Sequence, residues 1–355
     1  APEAPVGLVY PLVHANEAWA TGTAKALLDY ATSEPAARQR TWVVLLGLDP
    51  DAAMRAEGWA AYSPLSFENA IRTFYRPVLA EQPEVSFDPD SPMPEVQALA
   101  RVIREYRPDR IYSLHNCNLE FPTVAVSSDV AGVVDVVARA AAESGMSNFE
   151  NIGEFARMRG AGLQQLGPGV FVWPADFPWA RIADYARSHG ADRAAHLLVE
   201  GPMWRGSDPG FTLVEAADIA EEHAGVLQGL ADKLPSVPAS DLYRAALSGI
   251  EVAKKAAKRY RGKYAESLAG AAANVDGPEP FGWSAEYVYI SPLRAAGMMW
   301  RFVCELLVTD PADTVLVEVE RQLDVLIAEW SQLFERAFGI EPLRYVDTVA
   351  YQLKV

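Results

Sequence analysis

Short apolar runs alternate with helical stretches over the first two hundred residues of the chain. Apolar runs typical of buried strands lie at 6–13, 40–50, 109–118 and 192–204, and apolar residues at helical spacing lie at 20–33, 94–108, 127–145 and 179–191. This alternation predicts an α/β fold: a mixed, mostly parallel, twisted sheet with helices on both faces. The stretches 34–93 and 164–178 are rich in Pro and turn-forming residues, and we expect binding loops there.

The pattern changes after about residue 210, where long helical segments replace the alternation. These segments lie at 212–234, 240–270, 291–308 and 313–338. The breaks between them contain "VPASD" and "DGPEPFG", which are typical of loops. The sequence therefore predicts two parts, an α/β domain at 1–210 and a helical C-terminal region at 211–355.

Composition and charge exclude several classes of function. The chain has 355 residues, half of them hydrophobic, and a formal net charge of −16. A field of that sign repels phosphate backbones and anionic lipids, so we expect neither a nucleic-acid partner nor a membrane partner. No apolar run is long enough to span a bilayer. The two cysteines, Cys117 and Cys304, cannot build a disulfide framework, and we expect two reduced thiols rather than one disulfide. Localisation stays open, with the cytoplasm favoured over secretion.

Polar residues that bind metals follow three of the predicted strands. His14 and Glu17 follow the first strand, His115 ends the third, and Glu200 ends the fourth. In an open α/β sheet the carboxyl ends of the strands form the crevice that binds ligands, so these side chains have a physical reason to meet. A lone histidine at a strand end is more often a hydrogen-bonded surface residue, and the hypothesis therefore depends on all four residues together.

A catalytic zinc site needs about three protein ligands and one open position. His14, Glu17 and His115 supply two imidazole nitrogens and one carboxylate, which predicts that they bind Zn²⁺. A carboxylate that is not a ligand must then move the proton, and Glu200 fits that role of general base. Asn116, next to His115, is expected to line the same pocket and contact the substrate.

The same residues carry a resemblance to a known family. The order "HANE", "YSLHN" and "HLLVEGP" resembles the zinc carboxypeptidases of the A/B type, and the likeness covers about residues 6–205. The resemblance implies a metallopeptidase in which His14, Glu17 and His115 hold zinc and Glu200 is the general base. The chain is then a divergent member with a catalytic domain at 1–210.

The family also places arginines between its first and second metal-binding segments. They bind the terminal carboxylate of the substrate and polarise its scissile carbonyl, and a guanidinium suits a carboxylate because it can bind both oxygens. By resemblance, Arg55 and Arg72 take these roles here, with Arg76 as a rival to Arg72. The substrate would be a small peptide or amide that carries a carboxylate.

Several features depart from the family. Ile71 precedes Arg72 where the family has Asn, and no tyrosine in 164–178 corresponds to the mobile tyrosine that covers the substrate. The helical region at 211–355 is not part of the usual catalytic domain, and it could form a homo-oligomer interface. Two alternatives stay open: a deacylase of N-acyl amino acids, similar to aspartoacylase, and a non-catalytic binding protein on the same fold.

Overall fold

The computed structural model describes residues 4–58, 66–117, 122–146, 164–173, 179–206, 213–269 and 281–355. Its strands are β1 (Val6–Tyr10), β2 (Thr41–Val44), β3 (Arg110–Cys117), β4 (Thr123–Val126), β5 (Gln164–Gly167), β6 (Val170–Val172), β7 (Ala195–Pro202), β8 (Trp204–Arg205) and β9 (Glu341–Pro342). Its α-helices are α1 (Ala20–Ser33), α2 (Pro50–Arg55), α3 (Phe67–Thr73), α4 (Pro94–Tyr106), α5 (Val133–Glu143), α6 (Ala180–Ser188), α7 (Leu213–Ala231), α8 (Asp241–Ala269), α9 (Phe281–Thr309), α10 (Thr314–Phe338) and α11 (Tyr345–Lys354).

Seven strands form one mixed sheet in the order β2-β1-β3-β7-β4-β6-β5. The pairs β2–β1, β1–β3, β3–β7 and β4–β6 are parallel, whereas β7–β4 and β6–β5 are antiparallel. Helices cover both faces. The helices α1, α5 and α11 pack on one face around Leu114, and α4 and α6 pack on the other around Ile111. The predicted fold class is confirmed.

Some predicted boundaries are wrong for local reasons. The first strand ends at Tyr10 because Pro11 follows and Leu12 adopts a left-handed backbone with φ of 54°. The predicted helix at 127–145 begins only at Val133, because Ser127 accepts a hydrogen bond from the amide of His196 instead of capping a helix. The short strands β4, β5 and β6, which the apolar pattern did not predict, extend the sheet beyond β7.

The helices α7 to α10 form a second hydrophobic core together with α3. Phe67 of α3 stacks on Phe334 of α10 with ring centroids 4.6 Å apart. Helix α9 lies so close to α3 that a Cβ atom on Gly297 would be 2.0 Å from the carbonyl oxygen of Ile71. This close approach fixes α9 against the end of α3.

The last helix, α11, returns to the α/β sheet. Gln352 donates from Nε2 to the carbonyl oxygen of His115 at 2.5 Å, and Thr348 donates to the carbonyl oxygen of Pro202 at 2.5 Å. The division of the chain into two parts at residue 210 stays a prediction. The helix α11, from the predicted C-terminal part, contacts β3 and β7 of the sheet.

Two further expectations concern the whole chain. Cys117 and Cys304 are both free thiols, as expected from their number. None of the helices within the described ranges combines the length and the apolar character that a transmembrane span requires.

Candidate metal centre

The loop that follows β1 positions His14 and Glu17. The left-handed turn at Leu12 redirects the chain, and two backbone hydrogen bonds of 3.0 Å, from the amides of Leu48 and Asp49 to Pro11 and Leu12, fasten it to the loop after β2. The amide of Glu17 then donates to the carbonyl oxygen of His14 at 3.0 Å. This turn places the two side chains on the same side of the loop.

His115 comes from β3 and lies on the sheet face covered by α4 and α6. Leu114 packs on the opposite face with Val199, and because side chains alternate along a strand, His115 faces the other way. The side chain of His115 thereby reaches the loop that carries His14 and Glu17. The two imidazole rings meet edge to face with centroids 5.0 Å apart.

The three residues form a compact, buried cluster. His14 Nδ1 lies 2.7 Å from Glu17 Oε1, and His115 Nδ1 lies 3.0 Å from Glu17 Oε2. Their potential ligand atoms all lie within 4.8 Å of one another. His14, Glu17 and His115 are less than a tenth exposed. The structure therefore brings together the three residues that the sequence singled out.

The donor atoms of this cluster fit a metal ion. The Nδ1 atoms of His14 and His115 lie 2.7 and 3.0 Å from the Glu17 carboxylate, and two imidazoles with one carboxylate are the ligand type and number of a catalytic zinc site. Burial would raise the pKa of Glu17, but His14 and His115 beside it hold that pKa well below its usual range, so the carboxylate is ionised. Imidazole and carboxylate also suit other divalent metals, so the donor set indicates a metal ion without specifying zinc.

Glu84 is a member of the site that sequence reasoning missed. Its carboxylate is completely buried, and Oε2 lies 2.9 Å from His115 Nε2, the nitrogen that points away from Glu17. Burial alone would lower the pKa of His115, but Glu17 and Glu84 on its two nitrogens raise that pKa well above its usual value. A carboxylate behind a ligating histidine is the usual outer partner of a metal site.

A network of buried polar groups holds Glu84 in place. Tyr10 donates from its hydroxyl to Glu84 Oε1 at 3.0 Å, and Trp179 donates from Nε1 to Oε2 at 2.9 Å. His196 Nδ1 donates to the carbonyl oxygen of Trp179 at 3.0 Å, and its Nε2 lies 3.1 Å from the Tyr10 hydroxyl oxygen. The network fixes the position of Glu84 and, through it, the ring of His115.

Arg76 is the arginine that contacts the cluster. Its Nη2 donates to Glu17 Oε1 at 2.8 Å, and its Nε donates to Asn16 Oδ1 at 3.1 Å. Its positive charge is one cause, after burial, of the lowered pKa of His14. Of the three arginines named from the sequence, Arg76 is the one whose described contacts include the cluster.

Arg55 and Arg72 lie elsewhere. Arg55 pairs with Asp241 and Glu305, and Arg72 pairs with Glu68 and Asp324. Among the residues that the structure describes, neither arginine has a hydrogen bond or ion pair with the His–Glu–His cluster. The roles of Arg55 and Arg72 in substrate binding stay predictions.

Asn116 and Glu200 differ in their surroundings. Asn116 accepts at Oδ1 from the amide of Ala20 at 2.9 Å and donates from Nδ2 to the carbonyl oxygen of Gly201 at 3.1 Å. It therefore joins β3 to α1 and β7, and its substrate contact stays a prediction. Glu200 is the register partner of His115 across β3 and β7, so the two residues share a face of the sheet.

Comparisons with known proteins give little further guidance. No family model matches the chain, and no curated protein matches it. Among solved structures, a candidate metallopeptidase from Shewanella denitrificans OS217 aligns at 15% identity with a TM-score of 0.38, covering 57% of this chain and 67% of its own. A second candidate metallopeptidase, from Shewanella baltica OS155, aligns at 14% identity with a TM-score of 0.35, and the alignment covers 57% of this chain and 69% of the other. Likeness at this level defines neither a family nor an activity, so function has to be inferred from the site.

The sequence contained only weak signals for Glu84 and Arg76. Glu84 lies in "EQPEVSF", a segment in which an acidic residue looks solvent-exposed, although Gln82 and Phe87 on either side of it are buried. Arg76 directly follows two aromatic residues, Phe74 and Tyr75, both of which are buried. This pair is a weak indication that the backbone next to Arg76 is held in the core. Neither residue ends a strand, and the rule that located His14, His115 and Glu200 does not apply to them.

Proposed function

We propose that the chain is a metal-dependent hydrolase that cleaves an amide bond, with chemistry similar to that of the zinc carboxypeptidases. The observation that carries the proposal is the convergence of His14, Glu17 and His115 on one buried point. Their potential ligand atoms lie within 4.8 Å of one another, and two imidazoles with one carboxylate are a ligand set of catalytic zinc sites.

His14, Glu17 and His115 would hold the ion, and we propose zinc because two histidines and one carboxylate are a common ligand set of catalytic zinc. A zinc ion bound there would act as a Lewis acid on the amide carbonyl and on the attacking water. Glu84 keeps the His115 ring in one orientation by accepting a hydrogen bond from Nε2. Because Nε2 carries that proton, Nδ1 of the neutral ring is left as the donor to the metal.

Glu200 acts as the general base in this proposal. Its support is the register of the sheet, which puts Glu200 beside His115 on the same face. A carboxylate there takes a proton from the attacking water and delivers it to the leaving amine, a transfer typically worth a factor of about 10² to 10⁴ in rate.

Arg76 supplies the positive charge next to the reacting carbonyl. Its guanidinium donates from Nη2 to Glu17 and from Nε to Asn16, and among the described residues its Nη1 has no hydrogen-bond partner. That nitrogen is available for a carbonyl oxygen as negative charge develops there. Arg76 takes the role for which the resemblance named Arg72 and Arg55, and both of these remain candidates for a more distant substrate contact.

Metal analysis and a substrate screen test this proposal together. We expect the purified chain to hold about one zinc ion. We also expect it to hydrolyse an amide bond in at least one member of a panel of peptides and N-acyl amino acids. Glu200→Gln should keep the metal and lose at least about a hundredfold in kcat. Turnover of N-acyl amino acids without peptides selects the deacylase alternative, and metal binding without any turnover selects the non-catalytic one.

A further inference from the structure

A cavity of about 720 Å³ opens between α2, the segment that follows α3, the start of α4 and the first turn of α8. Its volume lies within the range of sites that bind small molecules. Two guanidinium groups and five carboxylates line it, and the carboxylates are those of Asp49, Asp51, Glu81, Glu95 and Asp241. Acidic groups therefore outnumber basic groups on its walls.

The two arginines of the lining already have carboxylate partners. Arg55 pairs with Asp241 at 3.5 Å and with Glu305 at 3.1 Å. Arg244 pairs with Glu81 at 2.8 Å and with Asp241 at 2.9 Å. Each guanidinium charge is thus offset within the walls, and neither is left over to attract an anion.

The carboxylates of Asp49, Asp51 and Glu95 have no ion pair among the residues that the structure describes. Asp49 is only 5% exposed, and although its Oδ1 accepts from the amide of Ala52 at 3.0 Å, its Oδ2 has no hydrogen-bond partner within the described ranges. Burial, and after it the charges of Glu95 and Asp51, raise the pKa of Asp49 to about 6. A positive group in the cavity would relieve this repulsion.

Tyr75 gives a second, independent indication of a ligand. It lines the cavity and is only 3% exposed, yet its hydroxyl forms no hydrogen bond with any described residue. Burial raises its pKa to about 12, and the next charges that act on the hydroxyl, those of Asp241 and Glu81, belong to the cavity walls. Buried polar groups nearly always have a hydrogen-bond partner, so this hydroxyl indicates a polar group that occupies the cavity.

The remaining walls suit an aliphatic chain. The apolar side chains of the lining are those of Ala52, Met54, Pro77 and Met93. Met54 is 76% exposed, and its flexible thioether chain can adapt to the shape of a ligand. The walls therefore combine unpaired negative charge with apolar surface.

A compact metal ion fits this cavity poorly. Across the described part of the chain, the one group of His, Cys, Asp or Glu residues close enough together to hold a metal ion is His14, Glu17 and His115. The carboxylates of the cavity are more dispersed than metal ligands are. An extended organic cation can reach several of them at once.

We propose that this cavity binds an aliphatic diamine, with one ammonium group at Asp49 and Tyr75, the other at Glu95, and the methylene chain on the apolar wall. An ammonium group donates three hydrogen bonds and suits both carboxylate and hydroxyl oxygens. The proposal goes beyond the proposed function, because it depends neither on a bound metal nor on hydrolysis.

Calorimetry on the full chain with three cations tests the proposal. The probe is putrescine, a four-carbon diamine, in about 0.15 M salt, which screens the long-range attraction of the acidic chain. Butylamine has the same carbon chain but one ammonium group, as a lysine side chain has, and Mg²⁺ has the same charge in compact form. We expect one putrescine per chain, bound at least about tenfold more tightly than either control.

Three variants locate the site. Asp49→Asn keeps the N-cap of α2, since asparagine caps equally well, and should weaken putrescine at least about tenfold. Tyr75→Phe should weaken it about three- to tenfold and leave the urea stability unchanged, because the fold gives this hydroxyl no partner. Glu57→Gln, an exposed acidic residue outside the cavity, is the matched control and should bind as the wild type does. Glu95→Gln serves if Asp49→Asn fails to fold.

The proposal is overturned if the wild-type chain binds no putrescine at about 1 mM. Equal binding of Mg²⁺ also overturns it, because this would show a general attraction to an acidic chain. Equal binding of butylamine overturns the diamine as the ligand. An unchanged affinity of Asp49→Asn or of Tyr75→Phe overturns the site, since putrescine would then bind elsewhere.

Discussion

Glu84 Oε2 lies 2.9 Å from His115 Nε2, while His115 Nδ1 on the other side of the ring lies 3.0 Å from Glu17. The imidazole is thus fixed between two buried carboxylates. One of them belongs to the candidate ligand set and the other stands behind it. The contact with Glu84 fixes the orientation of the His115 ring so that Nδ1 faces the other potential ligands, as expected for a metal-binding histidine.

The first prediction concerns Glu84. Glu84→Gln keeps the shape of the side chain but removes the charge that orients His115, so metal affinity should fall by about 10- to 100-fold. Competition with a coloured chelator measures this affinity without reference to activity. Glu81→Gln, an exposed acidic residue three positions earlier, is the matched control and should leave the affinity unchanged. Equal affinities of Glu84→Gln and the wild type would show that Glu84 does not support the site.

The second prediction concerns the contact between α9 and α3. Gly297→Ala would place a Cβ atom 2.0 Å from the Ile71 carbonyl oxygen, so the helices must separate. We expect the free energy of unfolding to fall by about 1–3 kcal/mol, as for other overpacked cores, measured by urea denaturation. Gly225→Ala, inside α7 with no atom within 4 Å of the added Cβ, is the control and should be stabilising by up to about 1 kcal/mol. A neutral Gly297→Ala would contradict the close approach.

The third prediction concerns pH and His223. This ring stacks on Trp330 with centroids 3.6 Å apart, and burial lowers its pKa to about 4. The unfolded state takes up a proton near pH 6.5 and the folded state only near pH 4, so the contribution of His223 is present above pH 6.5 and is lost as the pH falls to 4. The loss should reach about 3 kcal/mol.

The measurement is the difference in urea stability between the wild type and His223→Phe at several pH values. Other acidic groups titrate in the same range, but they are common to both proteins and cancel in the difference. The wild type should lose stability relative to the variant between pH 6.5 and 4. A difference that stays constant with pH would show that His223 is protonated as easily in the fold as in the unfolded chain.

The sequence predicted the part of the site that obeys a rule of sheet topology. His14 and His115 follow or end strands, and parallel strands bring their carboxyl ends to one edge, whereas the role of Glu200 stays a prediction. Glu84 and Arg76 come from the irregular stretch between α3 and α4, where no periodicity constrains the direction of a side chain. Their positions depend on long-range contacts with Tyr10, Trp179 and Glu17, which a local pattern does not contain.

The fold was predictable to a similar extent. The helix at 20–33 and the strand at 109–118 carry strong periodic patterns, and the structure has α1 at Ala20–Ser33 and β3 at Arg110–Cys117. The strands β5 and β6 are short and lie in a Pro- and Gly-rich stretch, where the turn signals mask the apolar residues. The contact of α9 with α3 rests on the absence of a side chain at Gly297, and the sequence alone does not show which glycine faces a partner.

The decisive measurement for a metal site at His14, Glu17 and His115 is the metal content of the wild type and of Glu17→Gln, determined by elemental analysis on folded protein after dialysis against zinc. We expect about one tightly bound zinc per wild-type chain and a loss of at least about a hundredfold in zinc affinity for Glu17→Gln, since two histidines alone make a weak site. Circular dichroism confirms that the variant is folded. A wild-type chain that holds no zinc, or a Glu17→Gln variant that binds zinc equally well, would show that His14, Glu17 and His115 do not form a metal site.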